Sequence, residues 1–265
     1  MLKIPYADPN APAIIVEIGN TKTSVATWVG GNVRSALHVP TSDEAAFSEA
    51  FQAHREGIPR GKVAATVIGS VVPAALERVR AHVVDCSERE PLVIGETIPL
   101  PMDVGVTDKK AIGVDRVCEA YAAFERLQTG CTVVALGTAI TVDLVDDDGV
   151  LVGGAILPGI RMQLAALHER TAVLPRVEPG FPERPFGRST TEAIQTGVCR
   201  GVVGAIRNIV EGYATHLNRW PQVLASGGDL AFLQPHMDFV DTFVTDLALR
   251  GVGLSYSKHL SEQGA

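Results

Sequence analysis

The sequence predicts an α/β chain built from two related halves. Its 265 residues with 46% hydrophobic content suit one large domain or two of ordinary size. Apolar strand-like runs alternate with helical stretches along its length. A strand, Gly turn, strand pattern near the start returns about half a chain later.

The first apolar run, Ala13 to Val16, ends at Glu17-Ile18-Gly19-Asn20-Thr21. A β-rich stretch continues to Val29 and turns at Gly30-Gly31-Asn32, which predicts two strands and a hairpin. Thr41-Ser42-Asp43-Glu44 has capping-box spacing and opens a helix to about His54. Val63 to Ile68 reads as a buried strand ending at Gly69-Ser70-Val71-Val72-Pro73, with a helix after it to about Ala81. Val83-Val84 and Leu92-Val93-Ile94 are short strand candidates, and residues 98–108 read as extended or loop. A helix is expected from near Ile112 to Leu127.

Then the opening pattern recurs. Cys131 to Leu136 reads as a buried strand followed by Gly137-Thr138-Ala139, a second strand runs from Ile140 to Val145, and a third covers Val150 to Val152. Aligning Gly19 with Gly137 matches Val16 with Val134 and Ile18 with Leu136. A duplicated domain explains this; two unrelated Gly-bearing hairpins are the competing explanation. Further on, Arg161 to Glu169 reads as a short helix. Ser189-Thr190-Thr191-Glu192 is a second capping box opening a long helix to about Trp220. Gly197, Gly201 and Gly204 on that helix leave room for close backbone approach. Gln222 to Ala225 reads as a strand before Ser226-Gly227-Gly228, and a last strand and helix cover Asp238 to His259.

Composition excludes several classes. The net charge is −7 and no dense Lys/Arg run occurs, so nucleic acid is not an expected partner. Cys86, Cys118, Cys131 and Cys199 form no CxxC and no metal-ligand spacing with His, so reduced, mostly buried thiols are expected and no metal site is assigned. No apolar signal core opens the chain and no stretch of about 18 apolar residues occurs, which points to a cytoplasmic protein without a membrane span.

Neither GxxxxGK[ST] nor a strand-borne GxGxxG is present. Phosphate can still be held where a Gly turn lets backbone N–H groups approach its oxygens. Gly19-Asn20-Thr21 and Gly137-Thr138 both offer this, and an ordinary hairpin would explain either alone. Ser226-Gly227-Gly228 is a third such turn, able to open a slot for a base or sugar. Gly113-Val114-Asp115-Arg116 opens a helix: its carboxylate can take a proton from a hydroxyl, and its Arg can clamp a carboxylate or a transferring phosphoryl group. An exposed helix-start Asp beside an exposed Arg is the bland alternative.

Taken in order, these pieces resemble the type III pantothenate kinase family. The match runs through residues 17–21, 70–73, 113–116, 137–143, 153–160, 171–175, 189–197 and 226–228, and on to Leu249-Arg250-Gly251-Val252. The resemblance implies two RNase H-like lobes of the actin, Hsp70 and sugar-kinase type, at about residues 1–128 and 129–265, with a central ATP cleft. It implies ATP-dependent phosphorylation of pantothenate with Mg²⁺, the first step of coenzyme A synthesis, by a homodimer. Asp115 matches the general base; Gly113, Val114 and Arg116 match the pantothenate loop, and Thr190 a further substrate contact. Glu17, Gly19, Asn20 and Thr21 match the first phosphate loop, and Gly137, Thr138, Gly227 and Gly228 match nucleotide contacts.

Three departures bear on activity. Glu17 stands where the family has Asp, which moves the carboxylate outward. Ala135 stands where the family has the Asp that helps hold a monovalent cation (K⁺ or NH₄⁺), so that ion site is expected to be weak or absent. Val106 to Lys110 lacks the family's Tyr and Pro. A catalytically weak homologue with a regulatory or binding role is the alternative, and a kinase for another small hydroxylated acid is a third reading.

Overall fold

The computed structural model describes residues 11–59, 62–109 and 111–264; Lys110 therefore lies outside it. The chain forms two compact units. Unit 1 takes the described residues up to Arg126, Gly149–Leu151 and the segment from Asp246 onward; unit 2 takes Leu127–Asp148 and Val152–Thr245. The contiguous split at residues 128 and 129 thus leaves the last helix with the wrong half.

Unit 1 is built on β1 (Ala13–Ile18), β2 (Lys22–Val29), β3 (Asn32–Pro40), β4 (Thr66–Ser70) and β5 (Leu92–Val93), in the order β3-β2-β1-β4-β5. β1 is antiparallel to β2 and parallel to β4. Its helices are α1 (Glu44–Glu56), α2 (Pro73–Ser87), α3 (Val114–Leu127) and the last helix of the chain, Leu247–Gly264, which is α8.

Strand periodicity sends alternate β1 side chains to opposite faces. Ile14, Val16 and Ile18 pack with Phe47 and Phe51 of α1 and Leu76, Val79 and Val83 of α2. Ala13 and Ile15 pack the other way, with Trp28, Cys118 of α3, and Leu249, Val252 and Tyr256 of α8. Glu17 shares the parity of Ala13 and Ile15, so it belongs to the α3 and α8 face.

Unit 2 repeats the plan with β6 (Cys131–Leu136), β7 (Ala139–Val145), β8 (Leu151–Pro158), β9 (Gln222–Ser226) and β10 (Thr242–Phe243). Their order is β8-β7-β6-β9-β10, the order of the first sheet strand for strand. β6 is likewise antiparallel to β7 and parallel to β9. β1 and β6 are six residues each with the same burial sequence, so Gly19 and Gly137 occupy one structural position. The recurrence read from the sequence is therefore a structural duplication. The helices of unit 2 are α4 (Ile160–Glu169), α5 (Thr190–Gln195), α6 (Gly201–Leu217) and α7 (Leu230–Leu233).

Several local expectations are corrected. The cap of α1 is Asp43, whose side chain accepts from Ala46 N at 2.9 Å. Thr41 instead donates to the Gly19 carbonyl at 2.8 Å, tying the end of β3 to the first Gly loop. Val83-Val84 lies inside α2, because Val83 continues the buried helical face of Leu76 and Val79. Ser189 does cap α5, accepting from Glu192 N at 3.2 Å. The expected long helix is then interrupted by a π-helical turn at Thr196–Arg200 before α6 begins. The third strand of unit 2 runs on to Pro158 instead of stopping at Val152. Among the described residues, no helix is long and apolar enough to cross a membrane.

Candidate active site

The register of the first sheet lines up one polar row. Glu17 of β1 lies opposite Ser24 of β2, and Ser24 lies opposite His38 of β3. Directly opposed side chains on one face are close enough to bond. Ser24 Oγ donates to Glu17 Oε2 at 3.2 Å, and His38 Nδ1 meets Ser24 Oγ at 3.1 Å. At the far end His38 Nε2 meets Asp246 Oδ1 at 3.2 Å. Asp246 has φ 55°, a left-handed conformation, immediately before α8.

The same face brings Asp115 to Glu17. Asp115 lies in the first turn of α3, and its Oδ1 accepts from Arg116 N at 2.8 Å. A Cβ on Gly113 would come within 2.5 Å of that oxygen, so only Gly lets the carboxylate fold back over the helix start. The helix N-terminus favours the ionised form of a carboxylate placed there. Unit 1 therefore sets Asp115 beside Glu17 and the first Gly loop, with Gly113 and Arg116 flanking Asp115 at the start of α3.

Glu17 pays electrostatically for this position. Burial, then the Asp115 charge and more weakly the Asp246 charge push its pKa up to about 7, against the opposing pull of Lys22 and the Ser24 hydrogen bond. Its unfolded value is 4.5. The folded chain thus binds this proton more tightly, and the resulting stability is full below about pH 4.5 and lost as pH rises through about 7. Glu17→Gln imitates the protonated form. Unit 1 of that variant should resist urea better than the wild type at pH 8, by on the order of 1–3 kcal/mol, and about equally at pH 4. Trp28, 2% exposed in unit 1, provides the fluorescence signal.

In unit 2 the second and third Gly turns meet. Gly227 has φ +117°, and a Cβ there would lie 2.6 Å from Leu136 N and C, directly before Gly137. Asp229 N donates to Leu136 O at 3.1 Å, and Gly159 N donates to Thr138 O at 3.0 Å. Gly137, Thr138, Gly227 and Gly228 therefore form one cluster. Thr190 is exposed at the start of α5. The second sheet repeats the cross-strand row with different chemistry: Ala135 stands opposite Thr141 as Glu17 stands opposite Ser24. Thr141 Oγ1 is buried without a hydrogen-bond partner, so the position across from it lacks the acceptor that Glu17 supplies in the first sheet. Among the described residues, no group of three or more His, Cys, Asp or Glu side chains is arranged to hold a metal ion. Ser24, His38 and Asp246 were not singled out from the sequence, because their meeting depends on strand register.

Two mixed five-stranded sheets of identical order, each with a Gly turn after its first strand, define a fold of the actin, Hsp70 and sugar-kinase type. The chain belongs to the type III pantothenate kinase family, whose sequence model matches residues 13–212. It is 34% identical over 245 residues to the type III pantothenate kinase of Rhodospirillum rubrum, covering 90% of this chain and 95% of that one. It is 32% identical over 256 residues to that of Ruegeria pomeroyi, covering 95% and 98%. Among solved structures it is similar in fold to a Baf family protein from Campylobacter jejuni, with TM-score 0.62, 19% identity, and 95% and 98% of the chains covered. It is also similar to component A of (R)-2-hydroxyglutaryl-CoA dehydratase from Acidaminococcus fermentans, with TM-score 0.56, 11% identity, and 96% and 99% covered.

Proposed function

We propose that this chain transfers the γ-phosphoryl group of ATP to the terminal hydroxyl of pantothenate, yielding 4′-phosphopantothenate and ADP. The observation that carries the reading is Asp115, set over Gly113 on the first turn of α3 beside the Glu17 loop, in a chain of the type III pantothenate kinase family.

Asp115 takes the proton of the hydroxyl as its oxygen attacks the γ-phosphorus and the bond to the bridging oxygen of ADP breaks. In unit 1, Gly113, Val114 and Arg116 are assigned to pantothenate, with the Arg116 guanidinium for the acid's carboxylate; in unit 2, Thr190 is assigned to substrate as well. In unit 1, Gly19, Asn20 and Thr21 are assigned to phosphate oxygens; in unit 2, Gly137 and Thr138 are assigned to phosphate and Gly227 and Gly228 to the nucleotide. Mg²⁺ would enter with the nucleotide and would supply charge neutralisation at its phosphates. The working form is a cytoplasmic homodimer. A Cβ on Gly197, Gly201 or Gly204 would meet nothing within 4 Å, so these glycines leave a helix face open for such packing.

The test is ADP release from Mg²⁺-ATP by purified protein, with and without pantothenate, in K⁺, NH₄⁺ or Na⁺. Pantothenate-dependent turnover is expected at the same rate in all three cations, since Ala135 and the unpartnered Thr141 hydroxyl opposite it provide no carboxylate for an ion. No pantothenate-dependent ADP from folded protein would overturn the kinase reading in favour of a binding or regulatory homologue.

A further inference from the structure

The polar row across the first sheet is connected end to end, and its hydrogen count is constrained. Glu17 Oε2, Ser24 Oγ, His38 Nδ1 and Nε2, and Asp246 Oδ1 are joined by contacts of 3.2, 3.1 and 3.2 Å. Ser24 has one hydroxyl proton. If it points to Glu17, then His38 Nδ1 must carry a proton and donate to Ser24. Nε2 must also carry one to face the Asp246 carboxylate, so the imidazole is a cation and Glu17 an anion. In the other arrangement Glu17 is protonated and donates to Ser24, the Ser24 hydroxyl turns to His38 Nδ1, and neutral His38 keeps Nε2–H on Asp246. Both arrangements satisfy every contact, hold the same number of protons and have the same net charge. They interconvert when one proton passes from Glu17 to Ser24 while the Ser24 proton passes to His38.

We propose that Glu17, Ser24, His38 and Asp246 form a proton-sharing relay in which His38 is a positioning residue, setting the charge of Glu17 beside Asp115 and the first Gly loop. Its catalytic consequence rests on the kinase reading above; the relay itself does not. α3, β2 and the residue before α8 each contribute a charge. Asp115 of α3 and Asp246 before α8 favour a protonated Glu17, whereas Lys22 of β2 favours its anion. On His38, burial and Lys22 oppose the cation, and Asp246 supports it. An anionic phosphate arriving at the Gly19 loop draws the proton to the Glu17 end, which removes a like charge from beside both the phosphate and Asp115. The duplicated sheet shows what this row becomes without the relay: Ala135 replaces the carboxylate, and the hydroxyl opposite it is unpartnered.

The test uses full-length protein labelled with ¹⁵N-histidine, with the His38 resonances assigned by their loss in His38→Gln. In the wild type His38 titrates in two steps, because the midpoints belong to the coupled pair. In Glu17→Gln and in Ser24→Ala it titrates in one step, displaced by about one pH unit. An unchanged His38 curve across wild type, Glu17→Gln and Ser24→Ala would overturn the relay, whatever the enzyme phosphorylates. In kinetics, the pH profile of kcat/KM for pantothenate should lose one of its two midpoints in His38→Gln while the folded fraction stays constant. A coupled titration in protein that shows no pantothenate-dependent turnover would support the relay and sink only the kinase reading.

Discussion

Asp115→Asn should lower pantothenate-dependent ADP formation by about 10²–10⁴-fold, the usual cost of removing a positioned general base. The fold should survive. The Asn oxygen can still accept the Arg116 N–H bond of 2.8 Å, and Gly113 leaves the same space above it. KM for ATP should change little, because the substitution removes a group that acts on the acceptor hydroxyl. A second readout is built in. The Asp115 charge is the next cause after burial of the raised Glu17 pKa, so Glu17 should titrate lower in the variant. Near-wild-type turnover would remove Asp115 from the mechanism, and an unmoved Glu17 would show that the two carboxylates do not interact.

Gly227→Ala should destabilise unit 2 by about 2–5 kcal/mol, while Gly228→Ala changes it by less than about 0.5 kcal/mol. The two glycines are adjacent, but only Gly227 has a left-handed φ, +117°, and only its Cβ would collide with the Leu136 backbone. A Cβ on Gly228 would meet nothing within 4 Å. The collision falls on the residue before Gly137, so Gly227→Ala should also raise KM for ATP by shifting the second phosphate loop. Urea denaturation followed by hydrogen exchange of amides in β6 and β9 against those in β1 and β4 separates this effect from unit 1. Equal effects of the two substitutions would contradict this account of the loop.

What could be read beforehand follows from how local each signal is. β1 and its turn were legible because the apolar run and Gly19 lie together, and the recurrence at Gly137 pointed to a duplication that both sheets display. Val83-Val84 misled because two β-branched residues suggest a strand, whereas the deciding fact is their helical spacing from Leu76 and Val79. Thr41 misled because its hydroxyl is used by a distant carbonyl, that of Gly19, and not by the helix it precedes. The π-helical turn at Thr196–Arg200 has no sequence signal that we can identify. In the site, Gly113, Asp115 and the Glu17 loop were found through motifs. Ser24 was reachable in principle: once the turn after Ile18 is fixed, antiparallel pairing places it opposite Glu17. His38 and Asp246 were not, because a second hairpin register and a returning helix bring them in.

That returning helix has a consequence for how the protein is made. The face of the first sheet that carries Glu17 is closed by Leu249, Val252 and Tyr256 of α8, and Trp28 Nε1 donates to Ser257 Oγ at 3.0 Å. On the ribosome these partners emerge after every strand of both units, so the unit that begins first is completed after the other. The later-synthesised unit, whose strands and helices all precede Asp246, can finish folding while the earlier one still waits with an apolar sheet face uncovered. Nascent chains stalled before Leu247 should therefore engage chaperones through their oldest segment, and release should coincide with the emergence of α8.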